Sequence, residues 1–132
     1  MKELSKIKAP IQVNLDVLKH WKFCVNSIDP FYAYVDGKKT DTQLGIRVEC
    51  VIIEDNYTAD NYKAKANRYE KIRFKLLGET NLGMFAVDEI VVPYGVTKAT
   101  IYGDFGGTDI SVECKLMNAD EYQKRVSSKA HA

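Results

Sequence analysis

The sequence predicts an all-β (mainly) domain, a small antiparallel barrel of five strands, and three observations predict it. Apolar residues recur with a period of two through most of the apolar stretches, so alternate side chains face opposite sides of a sheet. The stretches are short and punctuated by turn chemistry such as Asp36-Gly37 and Gly103-Asp104-Phe105-Gly106-Gly107. A chain of 132 residues, 45% apolar and 28% charged, has material for one hydrophobic core and not two. Closure into a barrel follows because an open sheet would leave aggregation-prone edges.

Residues 1–14 interleave Lys2, Lys6 and Lys8 with Leu4, Ile7 and Ile11 and are broken by Pro10, too short a pattern for a core helix. They read as a flexible N-terminal arm. From Leu18 the period becomes two: Trp21, Phe23 and Val25 share one face, and His20, Lys22, Cys24 and Asn26 the other. A break is expected at Asp29-Pro30, after which Phe31, Ala33 and Val35 alternate with Tyr32 and Tyr34. Asp36-Gly37 signals a hairpin with Lys38 and Lys39 at its tip. The clearest strand follows, with Leu44, Ile46, Val48, Cys50 and Ile52 against Gln43, Arg47 and Glu49.

Residues 55–70 lose the alternation and read as a long polar loop before the third strand, with one or two helical turns around Lys63–Ala66. Ile72, Phe74 and Leu76 then point inward against Lys71, Arg73 and Lys75. After a connection from Gly78 to Gly83, Glu89–Val92 is expected to end at Pro93-Tyr94-Gly95 and Thr97–Tyr102 to follow. In the last strand Ile110, Val112, Cys114 and Leu116 alternate with Ser111, Glu113 and Lys115. Asn118 or Asp120 caps a short C-terminal helix through Arg125, and Ser127–Ala132 frays. The count is five or six strands, the second long. The organisation is an arm (1–14), a barrel domain (15–117), and a short helix with tail (118–132). An OB-fold, the five-stranded barrel that carries oligonucleotide-binding loops, fits best. A small β-sandwich competes, and periodicity does not separate the two.

No apolar run approaches 18 residues and Met1–Ile11 lacks a signal-peptide pattern, so the expected location is cytoplasmic, with no membrane partner. Cys24, Cys50 and Cys114 are odd in number and widely spaced, as reduced thiols in strands would be. His20 and His131 are the only histidines, and no Cys/His cluster exists, which leaves no ligand set for a transition metal. The glycines around Asp104 spell a turn and not a phosphate loop, and the EF-hand spacing is absent. Asp88 and Glu89 are neighbours in a strand and would face opposite ways. The expectation is therefore no enzyme, no cofactor and no small-molecule substrate.

Net charge is +1, so any argument for a polyanionic partner must come from where the charges fall. Lys71, Arg73 and Lys75 fill every outward position of one strand, a track for phosphates. Over residues 57–75 there are six cations (Lys63, Lys65, Arg68, Lys71, Arg73, Lys75) against Asp60 and Glu70, a net of +4. Tyr57, Tyr62 and Tyr69 are interleaved with them. Bases of an unpaired strand stack on aromatic faces for about 1–3 kcal/mol each while cations hold the backbone. The bland alternative is a loop whose tyrosines fold back over the barrel end. Tyr32 and Tyr34 add rings beside Lys38 and Lys39. Trp21 shares a face with core residues.

Three runs carry a family resemblance: Gly37-Lys38-Lys39 with Leu44-Gly45-Ile46-Arg47-Val48, then Glu70-Lys71-Ile72-Arg73-Phe74-Lys75, then Ala99-Thr100-Ile101-Tyr102-Gly103-Asp104-Phe105 and a closing strand. In pattern and order, from about residue 18 to 117, the chain resembles the OB-fold single-stranded-DNA-binding proteins of Gram-positive conjugative plasmids. The resemblance implies sequence-tolerant coating of single-stranded DNA in plasmid transfer or replication. It also implies a homo-oligomer in which the arm, through Leu4, Ile7 and Ile11, docks on a neighbouring copy. Preference for DNA over RNA and tolerance of duplex DNA are left open. Unlike housekeeping single-strand binders, the chain ends Ser127-Ser128-Lys129-Ala130-His131-Ala132, without an acidic tail. The competing reading is a scaffold or adaptor module of the same system that binds protein and no nucleic acid.

Overall fold

The computed structural model describes residues 15–60, 62–102 and 109–130. The arm with Leu4, Ile7 and Ile11, and the Gly103–Gly107 turn, lie outside the described residues. A 3-10 helix, Leu15–His20, leads into five strands: β1 (Trp21–Val35), β2 (Lys38–Asp55), β3 (Lys71–Leu77), β4 (Ile90–Tyr102) and β5 (Asp109–Asn118). Helix α1 (Ala119–Ala130) follows. The strands close into one sheet in the order β1-β2-β3-β5-β4, with β4 returning to β1.

The period of two is what fills the interior. Phe23 and Val25 of β1, Ile46, Val48 and Cys50 of β2, Ile72, Phe74 and Leu76 of β3, Val91 of β4 and Val112 of β5 are all at most 2% exposed. Phe23 and Phe74 meet edge to face at 5.0 Å between centroids. Fully burying each such side chain stabilises the fold by about 1.5–3 kcal/mol, so the sheet is held from within. Trp21 is also buried, in the core register.

The expected wholly antiparallel barrel is corrected. β3 and β5 run parallel, through Arg73↔Ser111, Phe74↔Val112 and Lys75↔Glu113, while every other pairing is antiparallel. A closed ring with an odd number of strands cannot alternate direction all the way round. One parallel neighbour is compulsory.

Two prolines expected to end strands lie inside them. Pro30 pairs with Ile46 in the middle of β1. β4 accompanies β1 only at Phe23 and Cys24, so beyond Val25 no ladder among the described residues runs along the outer edge of β1 to lose a missing N–H. Pro93 pairs with Leu116, and between the pairs of Tyr94 and Lys98 β4 absorbs residues 95–97 as a bulge, with Gly95 at φ 59°. Asp88 lies in the turn before β4, at φ 72°, and not in a strand beside Glu89. Leu44, expected inward, is 43% exposed because β1 and β2 overhang the closed sheet there. The same overhang leaves both Tyr34 and Val35 exposed, so neither alternating set of that segment is core.

Helix α1 is longer than expected, running to Ala130 rather than Arg125. Asn118 is its cap: Oδ1 accepts from the Asp120 and Glu121 amides at 2.9 and 3.3 Å, and both acids sit in the first turn. Glu121 pairs with Arg125 one turn on, at 2.9 Å. No helix of the described residues is long and apolar enough to cross a membrane.

Candidate nucleic-acid interface

The hairpin joining β1 to β2 turns at Asp36 (φ 52°) and Gly37 (φ 78°), the left-handed pair that a two-residue turn between twisted strands requires. Its ladder is irregular, and the irregularity re-aims side chains. Phe31 is opposite Gly45, Tyr32 opposite Gln43 and Tyr34 opposite Lys39, with register shifts between Phe31 and Tyr32 and again before Tyr34. Cross-strand partners share a face, and Lys39, Gln43, Gly45 and Arg47 are all of one parity on β2. The bulges therefore bring Phe31, Tyr32 and Tyr34 onto the same side, the outer face that also carries Arg47. Strict alternation puts Phe31 opposite the tyrosines, and this is corrected. Phe31 lies against Gly45, whose missing side chain makes room for the ring. Lys39 Nζ sits 4.5 Å from the Tyr32 ring and Lys75 Nζ 5.8 Å from the Phe31 ring, so each ring has a cation at its face.

From Arg47 the outer face continues around the closed sheet. Register places Arg47 beside Lys75, Lys75 beside Glu113, and Glu113 beside Lys98. One step along, Glu49, Arg73, Ser111 and Thr100 form the next row. Arg47, Arg73, Lys75, Lys98, Thr100, Ser111 and Glu113 line a groove of about 360 Å³. Four of these are cations and one is a carboxylate. Neither Arg47 nor Lys98 has an acid within ion-pair distance among the described residues. The Ser111 hydroxyl is buried there without a hydrogen-bond partner. Leaving such a group unsatisfied costs about 1–3 kcal/mol, and the residue is only 7% exposed.

The track along β3 is present but partly neutralised. Lys71 and Arg73 both reach Glu49, at 3.7 and 3.5 Å, so of the three only Lys75 has no carboxylate partner among the described residues. Lys71 is 62% and Arg73 38% exposed, so solvent screens both pairs and they hold little energy. They do reduce the charge that Lys71 and Arg73 offer a polyanion.

The loop before β3 folds differently from its expected role. Asp55, 3% exposed at the end of β2, gathers four donors. Oδ1 accepts from Trp21 Nε1 (2.9 Å) and the Tyr57 amide (3.1 Å). Oδ2 accepts from the Tyr62 hydroxyl (2.5 Å) and the Asn67 amide (3.0 Å). Burial alone would push this carboxyl up, but the hydrogen bonds outweigh it and hold it below its ordinary range. Burial, then the bond to Asp55, raises the Tyr62 hydroxyl. Tyr57 and Tyr62 stack edge to face at 4.9 Å, with His20 5.7 Å from Tyr57. Both tyrosines are half-buried and serve as struts that tie the loop to the sheet end, a correction to their reading as open stacking rings. Tyr69 alone of the three is open, 66% exposed with Arg68 over its ring at 4.8 Å. Lys63, Lys65 and Arg68 are exposed, and the helical turns expected here are replaced by turns with Lys65 and Tyr69 at positive φ.

The predicted residues thus fall into two groups at opposite ends of β2. Tyr32, Tyr34, Lys38 and Lys39 lie at the hairpin end, and Lys63, Lys65, Arg68 and Tyr69 at the loop end, separated by roughly 55 Å of strand path. Lys71, Arg73 and Lys75 run between them. Sequence reasoning missed Phe31, Arg47, Lys98, Thr100 and Ser111 as one surface. Arg47 was legible as outward, but β4 joins β2 and β3 on this face only through β5, which no local pattern announces.

No group of three or more His, Cys, Asp or Glu side chains able to hold a metal occurs among the described residues. Cys24, Cys50 and Cys114 are free thiols, and burial pushes Cys114 up to about 12. No protein-family model, curated protein or solved structure matches the chain.

Proposed function

We propose that the protein binds single-stranded DNA with little sequence preference, as an OB-type barrel, along the outer face from the β1–β2 hairpin across β2 and β3. The observation that carries this reading is the row Tyr34, Tyr32, Phe31 on one face, continuous with Arg47 and Lys75. Rings spaced along a strand offer stacking to successive bases whatever their identity, and cations beside them take the backbone. The closed five-stranded order β1-β2-β3-β5-β4 supports that reading, since an OB barrel has five strands and takes its ligand on the second and third. A place in conjugative transfer or plasmid replication rests on the family resemblance alone.

The test is fluorescence anisotropy of labelled oligo-dT against the matching duplex, at several salt concentrations. With Lys39, Arg47, Lys75 and Lys98 as four phosphate contacts, log affinity should fall against log salt with a slope of about −3, near −0.7 per contact on a single strand. Absence of binding, or a flat salt response, overturns the reading. A flat response with retained partner binding would favour the second reading, an adaptor module. That reading draws support from an apolar groove of about 610 Å³ between β1, β4 and α1, lined by Leu18, Trp21, Pro93, Tyr94 and Tyr122 among others.

A further inference from the structure

The groove on the β2-β3-β5-β4 face has a property that general charge attraction does not require. At its base, Ser111 presents a buried hydroxyl that bonds to nothing, flanked in register by Arg73 on one side and Thr100 on the other. A serine at an outward strand position ordinarily reaches water or a backbone carbonyl. Here the residue lines a groove with Arg47, Arg73, Lys75 and Lys98, and its hydroxyl has no hydrogen-bond partner among the described residues. Arg47 and Lys98 stand on the two sides of the same groove with no carboxylate to meet them among the described residues. Glu113 lies between Lys75 and Lys98 in their row, one step from the Ser111 row, and is the one carboxylate of the lining.

We infer that this groove is a discrete seat for one phosphate group, with Ser111 and Thr100 donating hydroxyl hydrogen bonds and Arg47, Arg73, Lys75 and Lys98 supplying charge. Tetrahedral oxyanions accept several donors at once, and hydroxyls paired with guanidinium and ammonium groups satisfy them. A neutral ligand would leave Arg47, Lys75 and Lys98 without a countercharge among the described residues. The inference deepens the strand-binding reading and rests on it for the identity of the natural ligand, a backbone phosphodiester. The strand would pass from the aromatic row at the hairpin to this seat, fixing its phosphate register while the bases stack freely.

The experiment uses the full chain, with inorganic pyrophosphate and oligo-dT as separate probes. Amide shifts are followed by two-dimensional NMR. Pyrophosphate should shift the Ser111, Thr100 and Lys98 amides saturably. Ser111→Ala should weaken that binding about tenfold, as expected for a lost bond to a charged acceptor, and Ser111→Thr should restore it. Because the hydroxyl has no partner in the free protein, Ser111→Ala should leave the melting temperature no lower, which separates lost binding from lost folding. Pyrophosphate that shifts nothing saturably, or that binds Ser111→Ala as well as the original, overturns the inference even if oligo-dT still binds. Saturable pyrophosphate binding lost in Ser111→Ala, with no oligo-dT binding, would uphold the phosphate seat with free phosphate as its source and reject strand binding instead.

Discussion

Removing the Asp55 carboxylate, as Asp55→Ala, should destabilise the protein by about 3–4 kcal/mol, toward the upper end of single-residue effects. The four donors cannot be summed at about 1.5–3 kcal/mol each, because most of them find water once the loop lifts. The Tyr57 and Asn67 amides and the Tyr62 hydroxyl all belong to that loop. The Trp21 indole does not: it lies in the core register, 9% exposed, and its N–H stays buried without an acceptor. The expected cost is that stranded donor plus the loss of the loop's anchorage. Asp55→Asn retains one carbonyl oxygen and should cost about half as much. Urea unfolding followed by fluorescence is well suited, because Trp21 is the only tryptophan and reports on the site itself. A shift below about 1 kcal/mol for Asp55→Ala would refute the knot as an organising feature. The pH dependence gives an independent check. The folded carboxyl lies below its ordinary value of 3.8, so its contribution is complete above that value and is lost as pH falls toward the folded one. Stability should therefore decline below about pH 4, and Asp55→Asn should flatten that decline.

Three other outcomes are expected. A methyl group at Gly45 would run into the Leu76 backbone carbonyl and the Phe31 ring, so Gly45→Ala should loosen the β2–β3 ladder and cost about 3 kcal/mol in urea unfolding; near-neutrality would contradict the close approach. Replacing Phe31 and Tyr32 together by alanine should weaken oligo-dT by about 2–4 kcal/mol in anisotropy while barely altering the salt slope, whereas an unchanged affinity would remove the aromatic row from the interface. Asn118→Ala should cost about 1 kcal/mol and lower helical circular dichroism as α1 frays; no change would mean that its two amide bonds are idle.

Local pattern carried the parts of this fold that depend on burial at short range. The alternation in β3, in the first half of β1 and from Ile46 to Ile52 placed every fully buried residue of those segments inside. The Asp36-Gly37 turn was legible because two successive left-handed residues have few sequence solutions. What escaped was decided elsewhere in space. Pro30 and Pro93 read as breakers, but whether a proline interrupts a ladder depends on which neighbour stands on its N–H side. Tyr57 and Tyr62 read as open rings because nothing local shows that a carboxylate at the preceding strand end would gather them in. That some adjacent pair must run parallel was implicit in closing five strands, though nothing in any segment says that the pair is β3 and β5. For the interface, the cations of β3 were visible, but Glu49, which occupies two of them, sits on another strand.

The closure between β1 and β4 is narrow. Among the described residues, two residue pairs, Phe23↔Val91 and Cys24↔Ile90, and the flanking bonds of Val25 with Asp88 and Glu89 complete the ring, whereas β1 and β2 pair along most of their length. Such a clasp is the place where the cylinder unzips at least expense, ahead of any global unfolding. Amide protons of Val25 and Asp88 would then trade with solvent sooner than those of Val48 or Phe74.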